Sequence, residues 1–372
     1  MIFTSRQLFN ILLQPELALS FDNLTLSNLI HVLRAQRLLA IFTQQALEQN
    51  IVDKFESKAK GHLLSSLVVV QRQNQQVEAE ASIINHVLED VAEHVVFLKG
   101  AAYSLAGYNF SKTRAFSDID ILVDRESIEK CEKALTEDGW IMQEISSYDD
   151  RYYRQWAHEI PPMQHATRGT FIDVHHNLIP IVSGDAPDVK LLAEYITTLD
   201  SGLSVFTPEA QFVHSAVHLL RNEDYQCSTR DLFDLYFMIK QNDPNFALRC
   251  FKVGEKIGFD YETALILKIL DSNFDVELGD YRSFTPNLKK SPLRWRFDVW
   301  LMTRVLRPYH SKIKGHKIHA FYLFIAMLRG HAIKMPVWLL TYHMVVKSCR
   351  RLIEAIFGKY IFVKEEEPDK QN

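Results

Sequence analysis

The run Ser117-Asp118-Ile119-Asp120-Ile121-Leu122-Val123 constrains this chain more than any other stretch. In a β-strand successive side chains alternate faces, so Asp118 and Asp120 project the same way, ~7 Å apart, while Ile119 and Ile121 turn to the core. Neighbouring carboxylates raise each other's pKa, so such a face needs solvent or a cation. It is either a surface strand with solvated acids or a site for a hard divalent ion such as Mg²⁺, which favours oxygen ligands.

The surroundings favour the ion. Val95-Val96-Phe97-Leu98 reads as a short buried strand ended by Lys99-Gly100, and residues 101–106 read as a short helix stopped by Gly107. A strand, a glycine turn and a helix present free backbone N–H groups to a phosphate. Gly100 permits close approach where a side chain would block it. Lys99 and Arg114 supply cations nearby in sequence. A third carboxylate, Asp173, lies within Phe171-Ile172-Asp173-Val174-His175, again flanked by apolar residues. Residues 159–165 and 170–176 read as a β-hairpin with a four-residue turn, Ala166-Thr167-Arg168-Gly169. Three strand-borne carboxylates beside a glycine turn meet the needs of two-metal phosphoryl chemistry.

With these residues in place, the segment resembles the polymerase-β-like nucleotidyltransferases. Their motif is a strand–glycine turn–helix, a strand bearing Asp-x-Asp, and a third Asp on a later strand. Leu98-Lys99-Gly100, Arg114, Asp118 to Val123, Gly139-Trp140 and Ile172-Asp173-Val174-His175 are similar to a bacterial branch of uncharacterised nucleotidyltransferases. That branch also carries a following helical pattern like His214-x-x-x-His218 and Arg230-Asp231-Leu232-Phe233-Asp234-Leu235. The wider superfamily has Gly-Ser or Gly-Gly in the turn; here it is Gly100-Ala101 with Lys99 ahead, the form of the narrower branch. The resemblance implies transfer of a nucleoside monophosphate from an NTP to an acceptor hydroxyl on a small molecule or a protein. It implies Asp118, Asp120 and Asp173 as catalytic ligands of Mg²⁺ or Mn²⁺. The triphosphate would lie at Gly100 and Ala101, helped by Lys99 and Arg114. The alternative is a non-catalytic nucleotide-binding module, or an adaptor for a membrane or nucleic-acid surface, that retains the fold.

Around this core the chain reads as helical. Apolar residues recur at helical spacing through Leu26, Leu29, Ile30 and Leu33, capped by Asp22 or Asn23, and a long polar helix covers residues 58–89. Helices resume beyond Pro208, most clearly over 210–220 and 229–239. The expected fold is α+β: an N-terminal helical region (1–90), a nucleotidyltransferase core with a small mixed sheet (91–205), a C-terminal helical domain (206–361) and a disordered charged tail (362–372).

Several other features stay open on sequence alone. His214 and His218 stand at i, i+4, and either ligate zinc with His175 or His176 or line a domain interface. Arg230 and Asp231 open a helix, touching substrate or only solvent. Tyr152, Tyr153 and Trp156 either stack on a base or pack a helical region. Residues 302–360 carry eleven Lys or Arg against one acid, Glu354, in a chain of net charge −4. With its aromatics, that segment suits an anionic membrane surface or nucleic acid, or it pairs with the acidic remainder. Four well-separated cysteines and the lack of a leader-like N-terminus lead us to expect a cytoplasmic protein. The apolar stretches 320–328 and 336–340 fall short of the ~18–20 residues needed to span a bilayer.

Overall fold

The computed structural model describes residues 3–274, 276, 278 and 292–357; the tail 362–372 lies outside the described residues. Four helices come first: α1 (Ser5–Leu13), α2 (Asn23–Ala35), α3 (Leu39–Glu48) and α4 (Ser57–Leu88). Asp22 caps α2, its carboxylate accepting from the Thr25 N–H at 2.7 Å. The sheet then runs through β1 (Val96–Phe97), α5 (Lys99–Leu105), β2 (Ile119–Leu122), α6 (Ile128–Glu137) and β3 (Trp140–Met142). It continues with α7 (Ser147–Trp156), β4 (Met163–His165), β5 (Phe171–His175), α8 (Val189–Ala193), β6 (Ile196–Thr198) and β7 (Ser204–Phe206). The remaining helices are α9 (Pro208–Arg221), α10 (Ser228–Gln241), α11 (Phe246–Lys256), α12 (Asp260–Phe274), α13 (Pro292–Val305), α14 (His316–Lys334) and α15 (Val337–Phe357). The fold is α+β. Among the described residues no helix is long and apolar enough to cross a membrane.

The sheet is mixed, in the order β3-β4-β5-β2-β1-β7-β6. β2 lies at its centre, antiparallel to β1 and parallel to β5. Because β2 and β5 are parallel and in register, alternation sorts both strands identically. Ile119, Ile121, Ile172 and Val174 enter one apolar cluster with Val77, Ala81, Ile84 and Leu88 of α4. Asp120, Asp173 and His175 are left on the opposite face.

A second apolar cluster joins the two helical regions. Phe9 of α1 lies 5.4 Å from Phe233 of α10 and 4.8 Å from Phe274 of α12, ring centroid to centroid. The Lys314 N–H donates to the Phe3 carbonyl at 2.7 Å. Segments at opposite ends of the chain therefore share one core, which reaches under the sheet through Val96, Leu98 and Leu122. The open face of the sheet is thereby roofed by α9 and α10, and the polar residues of β2 and β5 end up walling a cleft.

Two local departures from the alternating pattern matter to that cleft. Asp118 is not in the strand: β2 begins at Ile119, whose register partner is Ile172, so Asp118 precedes the ladder and is only half-buried. The hairpin arm is also interrupted. Met163 pairs with Ile172, but Glu159 pairs with His175, so four steps on one arm match three on the other. Pro161 and Pro162 lack an N–H for the ladder, and the extra residue makes a bulge there. A continuous register would set Ile160 opposite His175. The bulge sets Glu159 there instead.

Candidate active site

Asp120 and Asp173 are direct register partners on adjacent parallel strands. They line, with Asp118, a cavity of about 530 Å³ between the sheet and helices α9 and α10. The three acids singled out from sequence thus converge, but their environments differ. The Asp118 carboxylate accepts a hydrogen bond from Ser117 Oγ at 2.8 Å. Asp120 is buried, its Oδ1 accepting from Lys99 Nζ at 2.7 Å and lying 3.0 Å from His175 Nε2. Burial alone would raise the Asp120 pKa, but the Lys99 and His175 charges outweigh it and hold this carboxyl well below the usual range. The same pairing lifts Lys99 above its ordinary value against the opposing effect of burial.

Asp173 has no such cation. Burial first, then the negative charges of Asp120, Glu159 and Asp118, push its pKa up to about 7, against a smaller downward pull from His175. The cleft carries more negative charge than its own cations neutralise there. Oxygen donors with surplus charge are what a hard divalent ion takes as ligands, so the residues present fit such an ion.

The four positions expected at the triphosphate sit unequally. Lys99 lines the cavity with a backbone φ of 46°, a left-handed conformation uncommon for a non-glycine residue and often tied to function; its side chain reaches Asp120. Arg114 also lines the cavity, but its guanidinium pairs with Asp234 and with Asp231 (3.3 Å) and lies 5.4 Å from the Tyr103 ring. Ala101 is buried in the sheet-side core. Gly100 is buried beneath Arg114 and Phe116: a Cβ there would come within 2.6 Å of Arg114 Nε and 3.0 Å of Phe116 Cε1.

The need for glycine at position 100 therefore has a packing cause. A Gly100→Ala variant is expected to lose about 1–3 kcal/mol of stability, the usual cost of overpacking, because Asp231 and Asp234 hold the guanidinium the new methyl would strike. Urea unfolding measures it, and a change under 0.5 kcal/mol would show that Arg114 moves aside freely.

Residues outside the three-aspartate pattern complete the wall. His175 faces Asp120 with one nitrogen and Glu159 with the other, its Nδ1 lying 3.2 Å from Glu159 Oε2. These two acids raise its pKa although burial opposes them. Arg230 donates to Asp231 at 2.7 Å and to the Ala115 carbonyl at 2.9 Å, bracing the loop that leads into β2. Arg37, φ 56°, reaches the cavity from the end of α2, and among the described residues its side chain has no acidic partner. Neither Glu159 nor Arg37 stands out in the sequence. Pro161-Pro162 was the available signal for the first; nothing local marks the second.

The structure also places the residues left open by the sequence. Tyr152, Tyr153 and Trp156 pack on one another, and Trp156 lies 6.4 Å from Tyr342 of α15; the charges of Glu159 and Asp173 help burial raise the Tyr153 pKa, so this aromatic cluster borders the cleft. His214 and His218 do not gather with His175 as a metal-ligating group among the described residues. Burial lowers the His214 pKa to about 3, helped by the Lys99 charge, and holds His218 well below its ordinary value. Both are neutral imidazoles in the helical roof.

The sheet sets two acids in register on β2 and β5, with Asp118 just ahead of β2. The class comes from the comparison with protein families. The family model described as Uncharacterised nucleotidyltransferase matches residues 22–271, about two thirds of the chain, and the chain belongs to that family. No curated protein matches it.

Proposed function

We propose that this protein transfers a nucleoside monophosphate from an NTP to an acceptor hydroxyl, on a small molecule or a protein, and releases pyrophosphate. The observation that carries the reading is the register pair Asp120–Asp173, with Asp118 beside it, on the wall of a polar cavity. Mg²⁺ or Mn²⁺ held by Asp118, Asp120 and Asp173 would supply Lewis-acid stabilisation of charge on the phosphoryl oxygens. The chain's own residues do the rest. The acceptor oxygen attacks the α-phosphorus, the bond to the β-phosphate oxygen breaks, and the Asp173 carboxylate takes the hydroxyl proton. Lys99 and His175 hold Asp120 in one orientation. Arg37, without an acidic partner, and Lys99 are the cations we place nearest the triphosphate, with Arg114 behind them as a brace.

The test uses α-labelled NTPs with Mg²⁺ or Mn²⁺, read as pyrophosphate release and as label carried by protein or by small molecules of a cell extract. Metal-dependent release with label transfer is the expected result. Tight NTP binding without release in any extract would leave a nucleotide-binding module and end the catalytic reading.

A different surface favours a second activity. Leu293, Phe297 and Trp300 on α13 and Phe321, Phe324 and Leu328 on α14 are exposed large apolar residues, with Arg294, Arg296 and Lys317 exposed among them. Aromatic side chains among cations suit an anionic lipid surface. Co-sedimentation with phosphatidylserine vesicles that weakens steeply with salt is expected; no binding at low salt would remove this reading.

A further inference from the structure

A group with different ligand chemistry lies beside the three aspartates. The segment carrying His158 and Glu159 is bonded to β5 through its backbone. The Ile160 N–H donates to the Val174 carbonyl at 3.0 Å, and the His176 N–H donates to the His158 carbonyl at 2.8 Å. These bonds and the bulge at Pro161-Pro162 hold Glu159 directly opposite His175. One ligating atom from each of His158, Glu159 and His175 consequently falls within 4.8 Å of the other two. The imidazole rings of His158 and His175 are 5.2 Å apart, and His158 Nδ1 is buried with no hydrogen-bond partner.

We propose that His158, Glu159 and His175 form a second cation site, selective for a borderline transition ion of the Zn²⁺ type over Mg²⁺. Ligand atoms about a tetrahedral ion with ~2.0 Å bonds are about 3.3 Å apart. The 3.2 Å between His175 Nδ1 and Glu159 Oε2 already meets that spacing, and His158 needs only a modest approach. Two imidazoles and one carboxylate suit Zn²⁺, whereas Mg²⁺ takes oxygen donors. Asp120 supplies the outer support such sites use. His175 Nε2 lies 3.0 Å from Asp120 Oδ1; in the tautomer that donates there, which a bound ion would select, the Nδ1 lone pair faces Glu159 and the ion. Three protein ligands leave a coordination position open toward the cavity that Glu159, His158 and Asp173 all line. This site stands whether or not the protein transfers nucleotides, because it concerns binding alone.

The experiment titrates chelator-stripped full-length protein with Zn²⁺ in millimolar Mg²⁺, which occupies the three-aspartate site. Binding is followed by calorimetry, and the metal retained after dialysis is counted by elemental analysis. One equivalent of Zn²⁺ is expected in the unaltered protein and in Asp118→Asn. Affinity should fall at least ~100-fold in His158→Ala and in Glu159→Gln, since even supporting residues of a metal site cost 10–100-fold. Glu159 is partly exposed, so its variant tests the site should His158→Ala fail to fold. Retention of no Zn²⁺ over Mg²⁺ would overturn the proposal. So would loss of Zn²⁺ in Asp118→Asn with both triad variants binding normally, which would assign the ion to the aspartates.

Discussion

Replacing Asp118 with Asn is expected to lower nucleotidyl transfer by about 1,000-fold or more while leaving the melting temperature within about 2 °C. The loss follows from the several kcal/mol that a bound divalent ion supplies to a phosphoryl transition state. The unchanged stability follows from position. Asp118 lies just outside the ladder, is half-buried, and its carboxylate is bonded to the neighbouring Ser117 hydroxyl. Such a site falls among the changes worth at most ~0.5 kcal/mol. Asp120→Asn is expected to behave differently, although both residues read alike in Asp-x-Asp. Its carboxylate is the counter-ion of Lys99, whose side chain is only 16% exposed, and it accepts from His175 as well. Removing one partner of a buried pair strands the other charge at a cost of about 3–5 kcal/mol. This variant should therefore be both inactive and measurably less stable. Steady-state pyrophosphate release with parallel thermal melts separates the two. Near-normal transfer by Asp118→Asn would remove it from the metal site, and an unshifted melt for Asp120→Asn would show that Lys99 finds another partner.

That asymmetry marks the boundary of what is legible in the sequence. Alternation makes β2 and β5 readable, because Ile119, Ile121, Ile172 and Val174 are apolar at every second position, and the same alternation places Asp120, Asp173 and His175 on one face. Gly107 stops its helix where the backbone is left-handed (φ 71°), as its position in the sequence suggests. The three-residue strands β3, β6 and β7 are too short to carry a period and are not anticipated. The register between strands is also beyond local reading, and with it the bulge that selects Glu159 over Ile160. Arg114 and Gly100 illustrate the same limit: spacing marks them as candidate phosphate contacts, but it does not show that Arg114 pairs with Asp231 and Asp234, more than a hundred residues away, or that Gly100 makes room for it. The core shared by α1, α10 and α12 packs Phe9 against Phe233 and Phe274, more than two hundred residues on, a contact no local pattern shows.

Asp173→Asn is expected to make the metal-free protein more stable at alkaline pH while making it a poor enzyme. The unfolded carboxyl titrates near its ordinary 3.8, and the folded one near 7, raised by burial and by Asp120, Glu159 and Asp118. Below the lower value both states hold the proton and the group contributes nothing. As pH rises between the two values the unfolded chain ionises first, so the folded protein loses stability steadily. Above about 7 the full penalty is present, on the order of 4 kcal/mol at ~1.4 kcal/mol per unit. Asparagine does not ionise, so the variant escapes that penalty. The difference between variant and unaltered protein should be near zero at pH 4 and greatest at pH 8. Taking this difference cancels the acid sensitivity of His214 and His218, which both proteins share. Added Mg²⁺ should then stabilise the unaltered protein at pH 8 much more than the variant, because a divalent ion relieves the repulsion that asparagine has already removed. Urea unfolding of chelated and Mg²⁺-loaded protein at the two pH values gives the four numbers needed. A stability difference independent of pH would mean that Asp173 is not crowded by its neighbours. A Mg²⁺ effect equal in both proteins would place the ion away from Asp173, and the proton acceptor of the transfer reaction would have to be sought elsewhere in the cleft.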